Sequence, residues 1–100
     1  MKYNKLVRDK IPEYIKIKGG VPVIHIAGDE EYWQKLKEKL QEEVNEFTES
    51  ESVEEMADVL EVIDAIIDFK KFNKAELQKV KDKKVDERGR FKDKIILEES

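Results

Sequence analysis

The segment LKEKLQEEVNEFTESESVEEMADVLEVIDAII, residues 36–67, decides the fold. In its first half, the apolar residues recur at steps of four, four and three: Leu36, Leu40, Val44 and Phe47. That spacing is typical of one face of an amphipathic helix, which we predict over residues 30–48. A polar break over residues 48–52 separates it from a second helix, predicted over residues 53–70. Because the connection is so short, we expect the two helices to lie side by side and antiparallel.

The second of these helices contains the most apolar part of the chain. Its apolar residues would cover more than half of its circumference: Val53, Met56, Val59, Leu60, Val62, Ile63, Ile66, Ile67 and Phe69. A helix that is apolar over so much of its surface is central in a fold, where it packs on several neighbours or lies at a subunit interface.

Shorter elements are predicted before this helical pair. Pro12 suits the first turn of a short helix that runs through Ile15 and that Gly19-Gly20 would close. Residues 21–27, VPVIHIA, alternate and are rich in β-branched side chains, so they predict a short strand. Asp29 follows as a suitable N-cap for the first long helix.

After the pair, Asn73 is a suitable N-cap for a third long helix over residues 74–87, and Gly89 would end it. Residues 91–97, FKDKIIL, predict a second strand, which could pair with residues 21–27. The predicted fold class is therefore all-α. We expect a small helical bundle with a minor two-stranded β element, forming a single domain over residues 1–100.

Composition excludes several classes of function. The 100 residues include 20 basic and 24 acidic side chains, for a net charge of −4, whereas a domain that binds a nucleic-acid polymer would show a basic excess. No stretch approaches the ~20 apolar residues that a membrane span needs. Since the chain also has no cysteine, we expect a soluble, cytoplasmic protein without disulfides. A domain of this size buries only about two-thirds of its unfolded surface, so oligomerisation is a natural way to cover the rest.

Two pairs of acidic residues stand out on the central helices. Glu43 and Glu46 are three residues apart, as are Glu55 and Asp58, so each pair shares a helix face. Both pairs lie near the same loop, and four carboxylates at that range repel one another unless a cation is present. Mg²⁺ or Mn²⁺ is the natural occupant, because both ions prefer oxygen ligands. The plainer interpretation is that these acids are solvated, with Glu55 completing a capping box that begins at Ser52.

Four segments together resemble a known family: YNKLVRDKIPEYI at residues 3–15, KLQEEVNEF at 39–47, EEMADVLEVIDAI at 54–66 and RGRFKDKIILE at 88–98. The ExxE and ExxD motifs resemble those of the MazG-like nucleoside triphosphate pyrophosphohydrolases. The first and last segments are similar to the phosphoribosyl-ATP-pyrophosphohydrolase-like branch of that superfamily.

The resemblance implies a helical bundle that assembles into homodimers or homotetramers. It also implies Mg²⁺ held by the four motif acids Glu43, Glu46, Glu55 and Asp58. The implied reaction is attack of water on the α-phosphate of a nucleotide, which releases a nucleoside monophosphate and pyrophosphate. Either Glu43 or its neighbour Glu42 could accept the proton of that water, and Glu61 is a further candidate ligand.

Basic residues should line the path of the phosphates. The candidates are Lys5, Arg8, Lys10, Lys39, Arg88, Arg90 and Lys94. Tyr32 or Trp33 could stack on a base, although the position of Trp33 near the apolar stripe favours a role in the core. His25, the only histidine, is expected to be structural.

Three functional hypotheses follow. The first is a Mg²⁺-dependent nucleoside triphosphate pyrophosphohydrolase that cleans the nucleotide pool. The second keeps the reaction but takes phosphoribosyl-ATP, in histidine biosynthesis, as the substrate. The third is a non-catalytic helical oligomerisation module, whose acids are surface charges and helix caps.

Overall fold

The computed structural model describes residues 4–100 and confirms an all-helical architecture over that range. Its helices are α1, Ile11–Ile17; α2, Asp29–Ser50; α3, Val53–Lys70; and α4, Lys74–Arg88. The helix predicted over 53–70 is confirmed at both ends, and the ends of the other helices lie within two residues of the predicted positions.

The antiparallel pair α2–α3 is the centre of the structure. Its two helices are joined through Glu51, which has a left-handed backbone (φ 54°), and Ser52. The Ser52 side chain caps α3 by accepting a hydrogen bond of 3.2 Å from the Glu55 N–H. Leu36 of α2 and Val59 and Val62 of α3 form the buried core between the two helices. The predicted hairpin and its cap are therefore confirmed.

The start of α2 differs from the prediction. Asp29 is its first helical residue. The N-cap is Gly28, which has an extended backbone and no side chain that could accept a hydrogen bond. The prediction that Asp29 caps the helix is therefore wrong. Asp29, Glu30 and Glu31 instead place negative charge in the first turn, where the helix dipole favours it.

The two predicted strands are wrong. Within residues 4–100, neither 21–27 nor 91–97 forms a strand. A strand needs a partner for its backbone groups, and two short segments far apart in the chain provide too little pairing to hold each other. Their β-branched residues are left in solvent, with Val23 96% and Ile96 82% exposed.

Helix α4 forms as predicted but does not pack as a bundle member. Asn73 caps it by accepting a 2.9 Å hydrogen bond from the Glu76 N–H, and Gly89 ends it with φ 81°. Leu77 and Val80 remain exposed. Among the described elements, only α2 and α3 pack on each other extensively.

The chain is consequently elongated. It extends 56 × 31 × 23 Å with a radius of gyration of 18.0 Å, against about 13 Å expected for a compact domain of 100 residues. None of the helices in residues 4–100 has the length and apolar character needed to cross a membrane.

The cap of α3 gives a first prediction. Replacing Ser52 with Ala removes the acceptor of the Glu55 N–H and should lower the free energy of unfolding by about 1 kcal/mol. Ser52→Thr keeps a hydroxyl at the cap and should retain most of the stability. Thermal unfolding followed by circular dichroism measures both variants, and equal melting temperatures for Ala and Thr would contradict a role for the hydroxyl.

Candidate metal centre

Three carboxylates converge at the loop end of the α2–α3 pair. Glu43 of α2 and Glu55 and Asp58 of α3 each offer one oxygen atom, and these atoms lie within 4.8 Å of one another. The arrangement follows from the antiparallel hairpin, because all three residues lie within about two turns of the connecting loop. Oxygen atoms at this spacing could serve together as ligands of one hard divalent cation.

Glu43 is the least exposed member of this group, which we call the acidic cluster (Glu43, Glu55 and Asp58). Its side chain is buried, with 6% of the residue's surface exposed, and its Oε2 atom has no hydrogen-bond partner. The Oε2 atom of Glu55 is likewise buried without a partner. A buried carboxylate oxygen without a partner is costly, and a cation bound between these residues would remove that cost. The residues therefore fit a divalent metal ion.

Burial raises the pKa of the Glu43 carboxyl above its ordinary value, and the nearby charge of Glu46 acts in the same direction. Lys39 opposes this shift, because its Nζ lies 3.3 Å from Glu43 Oε1. The lysine therefore supplies only part of the compensation that the buried carboxylate requires, and the second oxygen of Glu43 remains unpartnered.

Capping does not account for the Glu55 side chain. In a reciprocal capping box, the Glu55 carboxylate would accept a hydrogen bond from the Ser52 N–H. That N–H instead donates to Ser50 Oγ at 3.4 Å, while Glu55 Oε2 is buried without a partner. Only the half of the capping box that uses the Ser52 hydroxyl is formed.

Two further acids that the sequence suggested as ligands are not members of the acidic cluster. Glu46 and Glu61 are exposed, and neither belongs to the group whose oxygen atoms converge within 4.8 Å. The role of Glu46 as a ligand stays a prediction. In the structure, its contribution is electrostatic, since its charge helps to raise the pKa of Glu43.

The segment before α1 brings two cations to this end of the hairpin. Lys5 Nζ lies 2.7 Å from Glu42 Oε1, and Arg8 donates to Asp58 Oδ1 at 2.7 Å. Lys39 also lies 3.5 Å from Glu42 Oε2. The hydrogen bond from Lys5 is the main reason why the pKa of the Glu42 carboxyl is lowered, so this carboxyl is ionised at neutral pH. The bond likewise raises the pKa of Lys5.

A cleft of about 440 Å³ opens between this N-terminal segment and α2. Its lining includes three lysines, Lys5, Lys35 and Lys39, and the carboxylate of Glu42. Lys5 and Lys39 are among the phosphate-binding residues predicted from the sequence, whereas Lys35 is not. The available signal was helical spacing, since Lys35 lies four residues before Lys39 on the same face of α2.

The other predicted phosphate-binding residues lie elsewhere. Lys10, Arg88, Arg90 and Lys94 are exposed, and none of the ion pairs found within residues 4–100 connects them to the acidic cluster. Arg88 is the last residue of α4, which does not pack extensively on α2 or α3. The single chain therefore brings Lys5, Arg8 and Lys39 to the acids and leaves the C-terminal cations away from them.

Three aromatic side chains pack together at the opposite end of the hairpin. The Trp33 ring stacks on Phe69 with centroids 5.8 Å apart, and Lys70 Nζ lies 4.0 Å from the Trp33 ring centroid. Tyr32 meets the edge of Phe69 at 5.2 Å. These contacts support the structural role favoured for Trp33 over stacking on a base. His25 is exposed, and its Nε2 lies 2.9 Å from Glu31 Oε1.

Comparison with known proteins adds little to this geometry. No protein-family model matches the chain, and no solved structure matches it. A protein of Mycolicibacterium smegmatis, described as uncharacterized, is 55% identical over 42 residues. The match covers 42% of this chain and 43% of that protein, so the chain spans less than half the length of the relative it matches.

The burial of Glu43 gives a second prediction. In the metal-free protein, Glu43→Gln removes a buried negative charge and should raise the free energy of unfolding at neutral pH by about 1 kcal/mol. Because the pKa of Glu43 is raised in the folded state, the folded protein takes up this proton before the unfolded chain does as the pH falls. The advantage of Glu43→Gln over the wild type should therefore shrink as the pH falls through the raised pKa. Chemical unfolding of both proteins along a pH series in chelator measures the difference, and a constant difference would contradict the assignment.

Proposed function

We propose that this protein is a Mg²⁺-dependent nucleoside triphosphate pyrophosphohydrolase, with Mn²⁺ as an alternative metal. The observation that carries the proposal is the unpartnered, buried Oε2 atom of Glu43 within a group of three converging carboxylates. If these acids were only solvated surface charges, we would expect the Glu43 carboxylate to lie in water, because burying it without a partner is costly. The resemblance of the ExxE and ExxD motifs to the MazG-like enzymes supports the same reaction.

In this proposal, Glu43, Glu55 and Asp58 hold the divalent cation, with Glu46 as a further candidate ligand. The cation would neutralise charge on the phosphate oxygens and activate a water. Water adds to the α-phosphorus as the bond from that phosphorus to the bridging oxygen of the β-phosphate breaks. The products are a nucleoside monophosphate and pyrophosphate, and the proton of the water passes to a carboxylate.

Glu42 is the better candidate for that proton acceptor. It lies beside the acidic cluster without belonging to it, so it stays free of the metal. Its lowered pKa keeps it ionised at neutral pH. A carboxylate of low pKa accepts a proton less readily than one whose pKa lies near the working pH, so Glu42 is favoured by its position and not by its basicity. The lysines that hold Glu42, Lys5 and Lys39, also face the cleft, where they could bind the β- and γ-phosphates of a substrate.

We further propose that the protein works as an oligomer of this chain, with a dimer as the minimum. Its accessible surface is 9452 Å², roughly 3,500 Å² more than a compact monomer of this mass exposes. Obligate homodimers bury areas of this order. The stripe Val53, Met56, Leu60 and Ile63 on α3 is exposed and has the spacing of one helix face. A second copy of α3 is its natural cover, since the stripe is apolar and continuous.

The second copy also matters for the phosphate-binding role proposed for the C-terminal cations. Arg88, Arg90 and Lys94 do not reach the acidic cluster within their own chain. In an assembly, the α4 segment of one subunit could bring them to the site of another. Their proposed role in phosphate binding therefore depends on the oligomer.

The activity gives a third prediction. A panel of ribonucleoside and deoxyribonucleoside triphosphates, together with phosphoribosyl-ATP, should include a substrate that releases pyrophosphate rather than orthophosphate in the presence of Mg²⁺. Glu55→Gln and Asp58→Asn should lower kcat roughly 100-fold or more, because they remove metal ligands that stabilise transition-state charge. Glu54→Gln, an exposed change at the neighbouring position on α3, is the matched control and should leave the rate unchanged.

Absence of turnover on every compound, or full activity in the Glu55 and Asp58 variants, would contradict the proposal. Turnover of phosphoribosyl-ATP alone would favour the second hypothesis.

The assembly gives a fourth prediction. Light scattering should give a particle mass at least twice the 11.8 kDa of one chain. Leu60→Glu places a charge in the apolar stripe and should shift the protein toward monomer. Gln41→Glu adds the same charge at an exposed site on α2 and should leave the mass unchanged. A wild-type protein that remains monomeric at high concentration would show that the stripe is not an interface.

A further inference from the structure

Arg8 occupies an unusual place beside the acidic cluster. It pairs with Asp58, which lies 50 residues away in the sequence, and the guanidinium and carboxylate are in hydrogen-bond contact at 2.7 Å. Asp58 is also one of the three acids whose oxygen atoms converge. The neighbouring long-range pair, between Lys5 and Glu42, involves an acid outside that group. Arg8 is therefore the cation that directly contacts a proposed metal ligand from the N-terminal segment.

We propose that Arg8 is an exchangeable counterion: it pairs with Asp58 in the metal-free protein and moves to the substrate phosphates when a divalent cation binds. The inference rests on the proposed function, because it assumes that the acidic cluster binds metal. It adds an order of events, in which metal binding makes Arg8 available for the phosphates.

Charge is the first argument for the exchange. A divalent cation among Glu43, Glu55 and Asp58 would lie close to the guanidinium that now contacts Asp58, and the two positive charges repel each other. The metal also withdraws negative charge from Asp58, which weakens its attraction for Arg8. Binding of the metal and pairing of Arg8 with Asp58 therefore oppose each other.

The freedom of the Arg8 side chain is the second argument. This side chain is 57% exposed, and the residue precedes the first turn of α1, which begins at Ile11. The guanidinium can therefore move without disturbing the core of Leu36, Val59 and Val62. Once released, it presents a planar set of donors that fits two phosphate oxygens at once.

The position of the cleft is the third argument. Lys5, Lys35 and Lys39 line it together with Glu38 and Glu42. Lys39 also lies 3.3 Å from Glu43 Oε1, so the cleft brings positive charge to one side of the acidic cluster. Arg8 approaches from the α3 side through Asp58. Its release would add a bidentate donor beside α3 to the lysines that lie beside α2, so that a polyphosphate held near the metal would meet cations next to both helices of the hairpin.

The exchange predicts effects of opposite sign for a single substitution, Arg8→Gln. Calorimetric titration with Mn²⁺ alone should show about fivefold tighter metal binding, because the competing pair is gone. Titration of the Mg²⁺-loaded protein with an α,β-methylene nucleoside triphosphate should show about tenfold weaker binding, because a charge-assisted phosphate contact is lost. A merely structural role for Arg8 would weaken both kinds of binding.

Two further variants keep the experiment decisive. Arg8→Lys retains the charge and should bind Mn²⁺ like the wild type. That result would show that the tighter Mn²⁺ binding of Arg8→Gln comes from the lost charge. Lys16→Gln removes the same charge from an exposed position in α1 and should change neither affinity. If Arg8→Gln binds Mn²⁺ no more tightly than the wild type, the exchange is overturned while metal binding and the proposed function stand. If the wild type binds no Mn²⁺, both are overturned.

Discussion

The burial of the Glu43 carboxylate between two helices is the constraint on which the rest of this structure depends. Leu36, Val59 and Val62 hold α2 and α3 together, and their packing leaves Glu43 with 6% of its surface exposed. A carboxylate in that position needs positive charge nearby. Lys39 reaches only one of its oxygens, so the local sequence of α2 does not provide enough compensation. The packing of the hairpin itself therefore leaves one oxygen of Glu43 without compensation, which favours the cation proposed for this site.

The N-terminal segment folds back onto the hairpin through ion pairs with two other acids near Glu43. Residues 4–10 form no helix, yet Lys5 pairs with Glu42 of α2 and Arg8 pairs with Asp58 of α3. Exposed ion pairs of this kind contribute little stability individually. Their weakness is compatible with the proposed change of partners, because a strong buried pair would oppose the release of Arg8.

Local sequence patterns predicted the helices well, but they could not identify contacts between residues that lie far apart in the chain. Ser52, Asn73 and Gly89 act as expected because a cap depends on neighbours within one turn. The strands over 21–27 and 91–97 failed because a strand depends on a partner that local patterning does not identify. At the site, helical spacing and a short loop sufficed to bring Glu43, Glu55 and Asp58 together. Spacing could not show that Glu46 faces solvent or that Arg8 chooses Asp58, since both depend on how the helices are rotated and on the path of the N-terminal segment.

The open shape of the chain connects the assembly to the chemistry. Asp58 and Arg8 are now partly exposed, with 40% and 57% of their side-chain surfaces accessible, so water screens their interaction. If a second copy covers α3, the dielectric around the acidic cluster falls, and every charge interaction there becomes stronger. Repulsion between a bound cation and the Arg8 guanidinium would grow in the same proportion as the attraction between Arg8 and phosphate. In an oligomer, metal binding would therefore drive the transfer of Arg8 from Asp58 to phosphate more strongly. Covering the apolar stripe on α3 would then also affect the proposed reaction.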